Sequence, residues 1–178
     1  MNKLKLIFWL FLTLTITIYA IMSFYSLPII TGNNSEILIF DIRPNGYSFA
    51  DAKSLLNALS SEGISFYQTT QLALDTVFPI FYAVSLILAF WILSPLKWGK
   101  WRLAFFPFAI VSMIFDFLEN AYVIKMLKTG ADELSPKLVQ IASNFSTLKY
   151  LFLNISLAIL VMLIALWIYR KYFSKARQ

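Results

Sequence analysis

The stretch LIFWLFLTLTITIYAIMSFYSLPII, residues 6–30, runs for 25 residues without a charged side chain. A helix needs about 20 mostly apolar residues to cross the hydrocarbon core of a bilayer. The stretch is also longer than the roughly 7–15-residue apolar region of a secretory signal peptide, and it shows no small-residue cleavage pattern near its end. It therefore predicts a first transmembrane helix that is retained in the protein.

Three further apolar stretches predict three more spans. They cover residues 72–96, 103–126 and 139–169, and residues 31–71 form a loop after the first span. Of the 178 residues, 60% are hydrophobic and 13% are charged, whereas soluble domains average about 25% charged residues. The sequence predicts an all-α polytopic membrane protein. Residues 1–178 then form one domain, a bundle of four transmembrane helices with a short, partly helical outer loop.

The composition excludes several kinds of site. The chain has no Cys and no His, which excludes a Cys- or His-ligated metal or haem, His-based catalysis and thiol redox chemistry. The formal net charge is +6, and its uneven distribution along the chain is typical of membrane topology. We therefore expect no nucleic-acid partner.

Basic residues predict the orientation of the spans. If the N-terminus is cytoplasmic, nine basic and no acidic side chains fall on the cytoplasmic side, as the positive-inside rule requires. The nine are Lys3, Lys5, Lys97, Lys100, Arg102, Arg170, Lys171, Lys175 and Arg177. All five tryptophans fall near the same helix ends, where an aromatic belt is expected. The prediction is a multi-pass protein of the cell membrane, an inner membrane where a cell has two, with both termini cytoplasmic.

The outer loop carries three local signals. Residues 36–40 have the β-rich composition of a short strand, and residues 43–46 (Arg-Pro-Asn-Gly) predict a turn. Ser48 then fits the start of an amphipathic helix with a capping box, and Gly63 fits its C-terminal stop. The apolar stripe of that helix would be Phe49, Ala52, Leu56 and Leu59. Two interpretations stay open: the helix covers the bundle mouth or the outer membrane surface, or the loop is a spacer.

Four ionisable side chains interrupt the predicted spans, namely Asp75, Asp116, Glu119 and Lys149. A charge at the centre of a membrane helix costs roughly 2.5–3.5 kcal/mol, so such groups usually face a bundle interior and serve a function. Helical spacing and matching depth place them in one polar chamber in the outer half of the bundle, open to the outside. The candidate ligand-binding residues are Asp75, Tyr82, Asp116, Glu119, Asn120, Lys149, Tyr150 and Asn154, with Arg43, Tyr47 and Tyr67 as a lid.

Within this chamber the sequence assigns two roles. Lys149 is expected to pair with Asp116 or Glu119, which are three residues apart on one helix face. Asp75 is expected to stay free for a ligand, stabilised by the N-terminus of its own helix. The alternative is that these side chains only join helices, since interhelical polar contacts average ~0.6 kcal/mol each. Three acids against one base favour a site.

Three functions of different classes follow. The first is a binding or accessory protein whose partners are the bilayer and a small polar molecule or lipid headgroup. The alternative is a membrane-embedded enzyme acting on a lipid or amphiphile. In that enzyme Asp75, Asp116 and Glu119 would ligate Mg²⁺ or Ca²⁺, or a carboxylate would act as general base. Translocation of protons or ions ranks last, because the inner half of the predicted bundle is apolar. The oligomeric state is left open.

Overall fold

Four long helices dominate the computed structural model, which describes residues 3–172. Each is long and apolar enough to cross a membrane, the third together with a preceding 3₁₀ segment, Leu96–Phe105. No strand occurs among the described residues, which confirms the all-helical prediction. Lys175 and Arg177, two of the predicted cytoplasmic bases, lie outside the described residues. The helices are α1 (Lys3–Thr31), α2 (Phe49–Ala58), α3 (Ser61–Leu93), α4 (Phe106–Thr129) and α5 (Pro136–Tyr172).

The long helices alternate in direction along the bundle. Thr15 of α1 lies 3.3 Å from Ser85 of α3, hydroxyl to hydroxyl. Further along α1, Ser26 donates a hydrogen bond of 2.6 Å to Gln71 of α3, so the two helices run antiparallel. Short connections join α3 to α4 and α4 to α5, as in an up-and-down bundle. We call the end that carries residues 32–60 and 130–135 the loop end, and the opposite end the terminal end.

Two of the helices widen at the same level. Met22–Ser26 in α1 and Tyr67–Gln71 in α3 each form a π-helical turn. The buried hydrogen bond between Ser26 and Gln71 joins these two turns. A π turn changes which side chains face inward and often marks a functional site. Here the paired π turns bring polar residues of α1 and α3 to the same depth in the bundle.

The outer loop packs onto the bundle and does not act as a spacer. Ser48 and Asp51 form the predicted capping box at the start of α2. Beyond them Ala52, Leu55 and Leu56 are buried in one apolar cluster with residues of α4 and α5. Burial of this apolar face is the main force that holds a short amphipathic helix in place. Helix α2 therefore covers the loop end of the bundle, one of the two interpretations left open.

Two local predictions in the loop are wrong. Residues 36–39 are irregular and Phe40–Ile42 is a 3₁₀ turn. The apolar side chains Ile39 and Phe40 are buried in the bundle mouth, because their apolar surface gains more from burial there than from an unpaired strand exposed to water. Gly63 does not end α2, which stops at Ala58.

Gly63 instead lies in the first turns of α3, which begins eleven residues before the predicted second span. Ser60 caps this start, since its side chain accepts a 3.0 Å hydrogen bond from the Gly63 N–H. A Cβ atom at position 63 would lie 2.5 Å from the carbonyl oxygen of Ile30. Glycine is therefore required for the close approach of α3 to the end of α1. The other predicted span boundaries differ from the observed helix ends by a few residues.

Candidate functional site

Lys149 of α5 lies at the centre of a buried polar cluster. Its Nζ contacts a carboxylate oxygen of Glu119 and lies 3.5 Å from Oδ1 of Asp116. It also donates to the main-chain carbonyl of Asp41, at 3.3 Å. Ser146 donates to the second oxygen of Glu119. Because Asp116 and Glu119 are three residues apart on α4, one ammonium group reaches both, and the predicted pairing of Lys149 is confirmed.

Hydroxyl groups extend this cluster across α3, α4 and α5. Ser112 donates to the main-chain carbonyl of Lys149, at 3.1 Å. The Tyr82 hydroxyl lies 3.1 Å from the Ser112 hydroxyl and 3.4 Å from Oδ2 of Asp116. All four residues are buried. The Lys149 ion pairs are thus embedded in a network whose members largely satisfy one another, as buried charges require.

Asp41 is part of the cluster, and the sequence analysis did not identify it. It sits in the 3₁₀ turn of the outer loop and is 4% exposed. Its main-chain carbonyl accepts hydrogen bonds from Lys149 and, at 2.8 Å, from the Tyr150 hydroxyl. The carboxyl group lies beside Tyr67 and Gln71, but neither carboxyl oxygen completes a hydrogen bond of ordinary geometry with a described residue. The available signal was an acid directly after a run of apolar loop residues.

Asp75 of α3 has the least satisfied carboxyl group of the four long helices. It is 3% exposed, and its Oδ2 has no hydrogen-bond partner within residues 3–172. Outside the helix hydrogen bonds, its main-chain carbonyl accepts from the Asn120 side chain at 2.9 Å. The prediction that a helix N-terminus stabilises Asp75 is wrong, because α3 begins at Ser61 and the free N–H groups of its first turn are several turns away.

The cluster therefore holds four carboxyl groups and one ammonium group, which is one acid more than the sequence indicated. Burial raises the pKa of the Asp41 carboxyl, while the charge of Lys149 and the nearby Tyr67 and Gln71 oppose that rise. Burying an unpaired carboxylate is costly, so such a group takes up a proton or acquires a cation or hydrogen-bond donor. The acid excess is a chemical feature that a ligand can satisfy.

A small cavity of about 100 Å³ reaches the cluster. Its lining includes Ile42 of the loop turn, which is 39% exposed, so the cavity approaches the surface at the loop end. It also approaches the surface beside α1, where the lining residue Tyr19 is 60% exposed. The residues of its lining that carry polar groups are Tyr19, Ser23, Asp41, Gln71, Asp75, Tyr82, Asp116, Lys149 and Tyr150.

Most of the residues predicted for the chamber lie together in the structure. Asn154 is the exception, since it is exposed and does not line the cavity. It follows Lys149 by five residues, which turns its side chain about 140° away around the helix. Those that gather are Asp75, Tyr82, Asp116, Glu119, Asn120, Lys149 and Tyr150.

Of the three predicted lid residues, the two tyrosines cover the cluster and Arg43 does not. Tyr47 and Tyr67 are buried on either side of Phe40, with ring centroids 5.0 Å and 6.5 Å from its ring. Arg43 instead holds the loop conformation, donating to the Leu38 carbonyl at 2.6 Å. The two tyrosines thus form the cover of the cluster, and Arg43 stabilises the segment that carries Asp41.

The carboxylates are not arranged as metal ligands. No group of three His, Cys, Asp or Glu side chains within residues 3–172 could hold a metal ion. The physical reason is the Lys149 ammonium, which contacts both Asp116 and Glu119 and takes the position that a cation would need between them. The geometry does not support the expected Mg²⁺ or Ca²⁺ site of Asp75, Asp116 and Glu119.

No protein family, curated protein or solved structure matches this chain. Its function is therefore inferred from the cluster and its surroundings.

The raised pKa of Asp41 predicts how stability changes with pH. A carboxyl that binds its proton more tightly when folded contributes most to stability at low pH, and this contribution is lost as the pH rises above about 4. We expect Asp41→Asn to remove that loss, so that the variant gains stability over the wild type as the pH is raised from about 4 toward neutral. Thermal unfolding in detergent across this range measures the effect. Asp132→Asn, at an exposed position, is the control. A pH slope shared by wild type and Asp41→Asn would contradict the prediction.

Proposed function

We propose that this chain is a multi-pass protein of the cell membrane, with both termini in the cytoplasm and the loop end outside. The support is the distribution of basic residues among the described ends of the long helices. The first turns of α1 carry Lys3 and Lys5, and the last turn of α5 carries Arg170 and Lys171. The segment between α3 and α4 carries Lys97, Lys100 and Arg102. All of these belong to the terminal end, which the positive-inside rule assigns to the cytoplasm.

In this membrane protein the buried cluster binds a small polar molecule or the polar head of a lipid. The observation that carries the proposal is Asp75, a buried carboxyl group that lines the cavity and whose Oδ2 has no partner among the described residues. An unsatisfied buried polar group costs about 1–3 kcal/mol, and more if charged. A ligand that donates hydrogen bonds to Asp75 recovers this energy, so the site favours occupancy.

The same contacts separate binding from structural support. Asp116, Glu119 and Lys149 satisfy one another and would hold α4 to α5 in any helix bundle. Asp41 and Asp75 add two carboxyl groups for which the described chain supplies no well-formed partner. Polar groups that merely join helices have no need of this surplus. The surplus supports a binding role for the cluster.

An enzyme acting on a lipid or amphiphile is the second candidate function. Asp75 favours it, because a buried carboxyl group with a free oxygen in a cavity is suited to act as general base on a bound substrate. Lipid analysis of a deletion strain distinguishes the two. Loss of an enzyme makes a substrate accumulate and its product disappear. Loss of a binding protein produces no such pair of linked changes.

The direct test of binding is analysis of what the purified protein carries. We expect native mass spectrometry of the protein in mild detergent to show a bound small molecule or lipid. The bound species should be absent from a variant with both Asp41→Asn and Asp75→Asn, since these substitutions neutralise the surplus acids without changing side-chain size. A variant with Asp132→Asn and Glu133→Gln, two exposed positions, is the matched control. The same bound mass in wild type and in the cluster variant would refute the proposal.

A further inference from the structure

An apolar groove continues from the polar cavity toward the terminal end of the bundle. It has a volume of about 480 Å³, within the ~300–1,000 Å³ range of small-molecule sites. Its walls are α1 and α5, represented by Leu12 and Leu157, and its floor is α3, represented by Ala89. Tyr82 and Leu153 line both the groove and the polar cavity, so the two spaces adjoin.

The length of the groove matches one apolar chain. Along α3 it extends from Tyr82 to Leu93, eleven residues, or about 16 Å of helix. That is roughly half of the ~30 Å hydrocarbon core of a bilayer, the depth that the tail of one leaflet fills. Three lining residues carry hydroxyl groups: those of Thr15 and Ser85 lie against each other, and that of Tyr82 lies against Ser112. The groove therefore presents an apolar surface along its length.

We propose that the cavity and the groove together bind one single-chain amphiphile with a primary amine head. Its ammonium group lies against the carboxyl groups of Asp41 and Asp75, and its apolar tail lies in the groove between α1 and α5. This inference rests on the proposed function and names the class of ligand. The head points to the loop end and the tail to the terminal end, which is the orientation of a lipid in the outer leaflet.

The charge of the cluster selects the head. Four buried carboxyl groups face one ammonium group, and a second ammonium group at Asp41 and Asp75 reduces this imbalance. An ammonium group also supplies three N–H donors for carboxyl oxygens that otherwise lack partners. An anionic phosphate in the same space would be repelled by these acids. The cavity is also small, about 100 Å³, which favours an amine over a phosphodiester headgroup.

The groove positions the tail of the ligand and adds little to the free energy of binding from the membrane. A tail that moves from the bilayer into an apolar groove gains little from the hydrophobic effect, because lipid is as apolar as the groove. The head therefore supplies the polar contacts, and a tailed amine has the advantage that the membrane or micelle concentrates it beside the groove. Methylamine, which stays in water, lacks this advantage. Tyr19 of α1 lines the cavity and is 60% exposed, so an amphiphile can enter from the side of the bundle.

Two tryptophan variants of α5 isolate the groove from the cluster. Leu157 lines the groove and is 43% exposed, so Leu157→Trp fills the groove without overpacking the core. Leu151 is 50% exposed on the same helix and lines neither space, so Leu151→Trp is the matched control. Native mass spectrometry of the full chain in detergent, titrated with tetradecylamine, tetradecanol and methylamine, measures binding. Dioleoylphosphatidylethanolamine, which carries an amine beside a phosphate, is the fourth probe.

We expect tetradecylamine to bind one-to-one and at least about tenfold more tightly than tetradecanol, because hydrogen bonds to a charged group are stronger. Leu157→Trp should weaken that binding by about tenfold or more, and Leu151→Trp should leave it unchanged. Equal binding of tetradecylamine and methylamine, unaffected by Leu157→Trp, would overturn the groove and leave the proposed function intact. Tighter binding of the phospholipid than of tetradecylamine would contradict the proposal that the ligand is a single-chain amine. If a bound species co-purifies but no amine binds, the proposed function stands and the proposed amine head is wrong. If no species co-purifies and no probe binds, both proposals fail.

Discussion

Lys149→Met should lower the free energy of unfolding by about 3–5 kcal/mol, because it leaves two buried carboxyl groups without their cation. Lys149 is 5% exposed and contacts both Asp116 and Glu119. Methionine fills a similar volume, so little of the loss is due to a cavity. For a chain of this size the change corresponds to a melting temperature roughly 6–20 °C lower. Thermal unfolding of the purified protein in detergent measures it.

The control for this variant is Lys137→Met, the same substitution at an exposed position of α5. It should leave the melting temperature nearly unchanged. A second substitution, Glu119→Gln in the Lys149→Met background, should recover part of the lost stability, since it neutralises one of the two stranded acids. Equal effects of Lys149→Met and Lys137→Met would show that the buried ion pairs do not hold α4 to α5.

The four long helices were predictable because length and hydropathy alone determine them. Their ends were not, and α3 illustrates why. Residues 61–71 are too polar to be recognised as part of a span, yet they are helical because Ser60 caps them and Gly63 packs closely against Ile30. The cap is a local contact, but the packing of Gly63 against Ile30 is tertiary, and tertiary packing overrides local composition. The loop strand failed for the same reason, since the burial of Phe40 against Tyr47 and Tyr67 depends on the folded bundle.

The site was predictable where it lies on helices. The spacing of Asp116 and Glu119, and their depth relative to Lys149, follow from helix geometry. Asp41 was missed because a loop has no periodicity from which its direction can be calculated, and an acid in an outer loop is normally solvated. Asn154 was included in error, because the polar stripe to which it belongs on α5 diverges from Lys149 by the time it reaches this residue. The helical pattern therefore predicted the ion pairs. It did not predict Asp41, which with Asp75 makes two carboxyl groups without a well-formed partner.

Asp75→Asn should abolish ligand binding and leave the fold intact. The carboxyl group makes no ion pair among the described residues, and its Oδ2 lacks a partner. The substitution keeps the side-chain shape, and the contact of the Asn120 side chain with the main-chain carbonyl of residue 75 is unaffected. Removing a buried and unpaired acid costs the folded state nothing, so the melting temperature should stay the same or rise. The co-purified species should fall by at least about tenfold, because its charged partner is gone.

Asp116→Asn makes the comparison decisive, since it is the same substitution at a carboxyl group that is engaged. Asp116 contacts the ammonium of Lys149 and accepts a hydrogen bond from Tyr82. Its loss should destabilise the fold by about 1.5–3 kcal/mol, the usual contribution of hydrogen bonds to charged groups. Asp75→Asn should therefore lose ligand binding and keep its melting temperature, whereas Asp116→Asn should have a lower melting temperature. A lower melting temperature for Asp75→Asn than for Asp116→Asn would mean that Asp75 is the structural acid. The surplus charge of Asp41 and Asp75 would then have its partner in the folded chain, which leaves no unsatisfied carboxyl group for a ligand to bind.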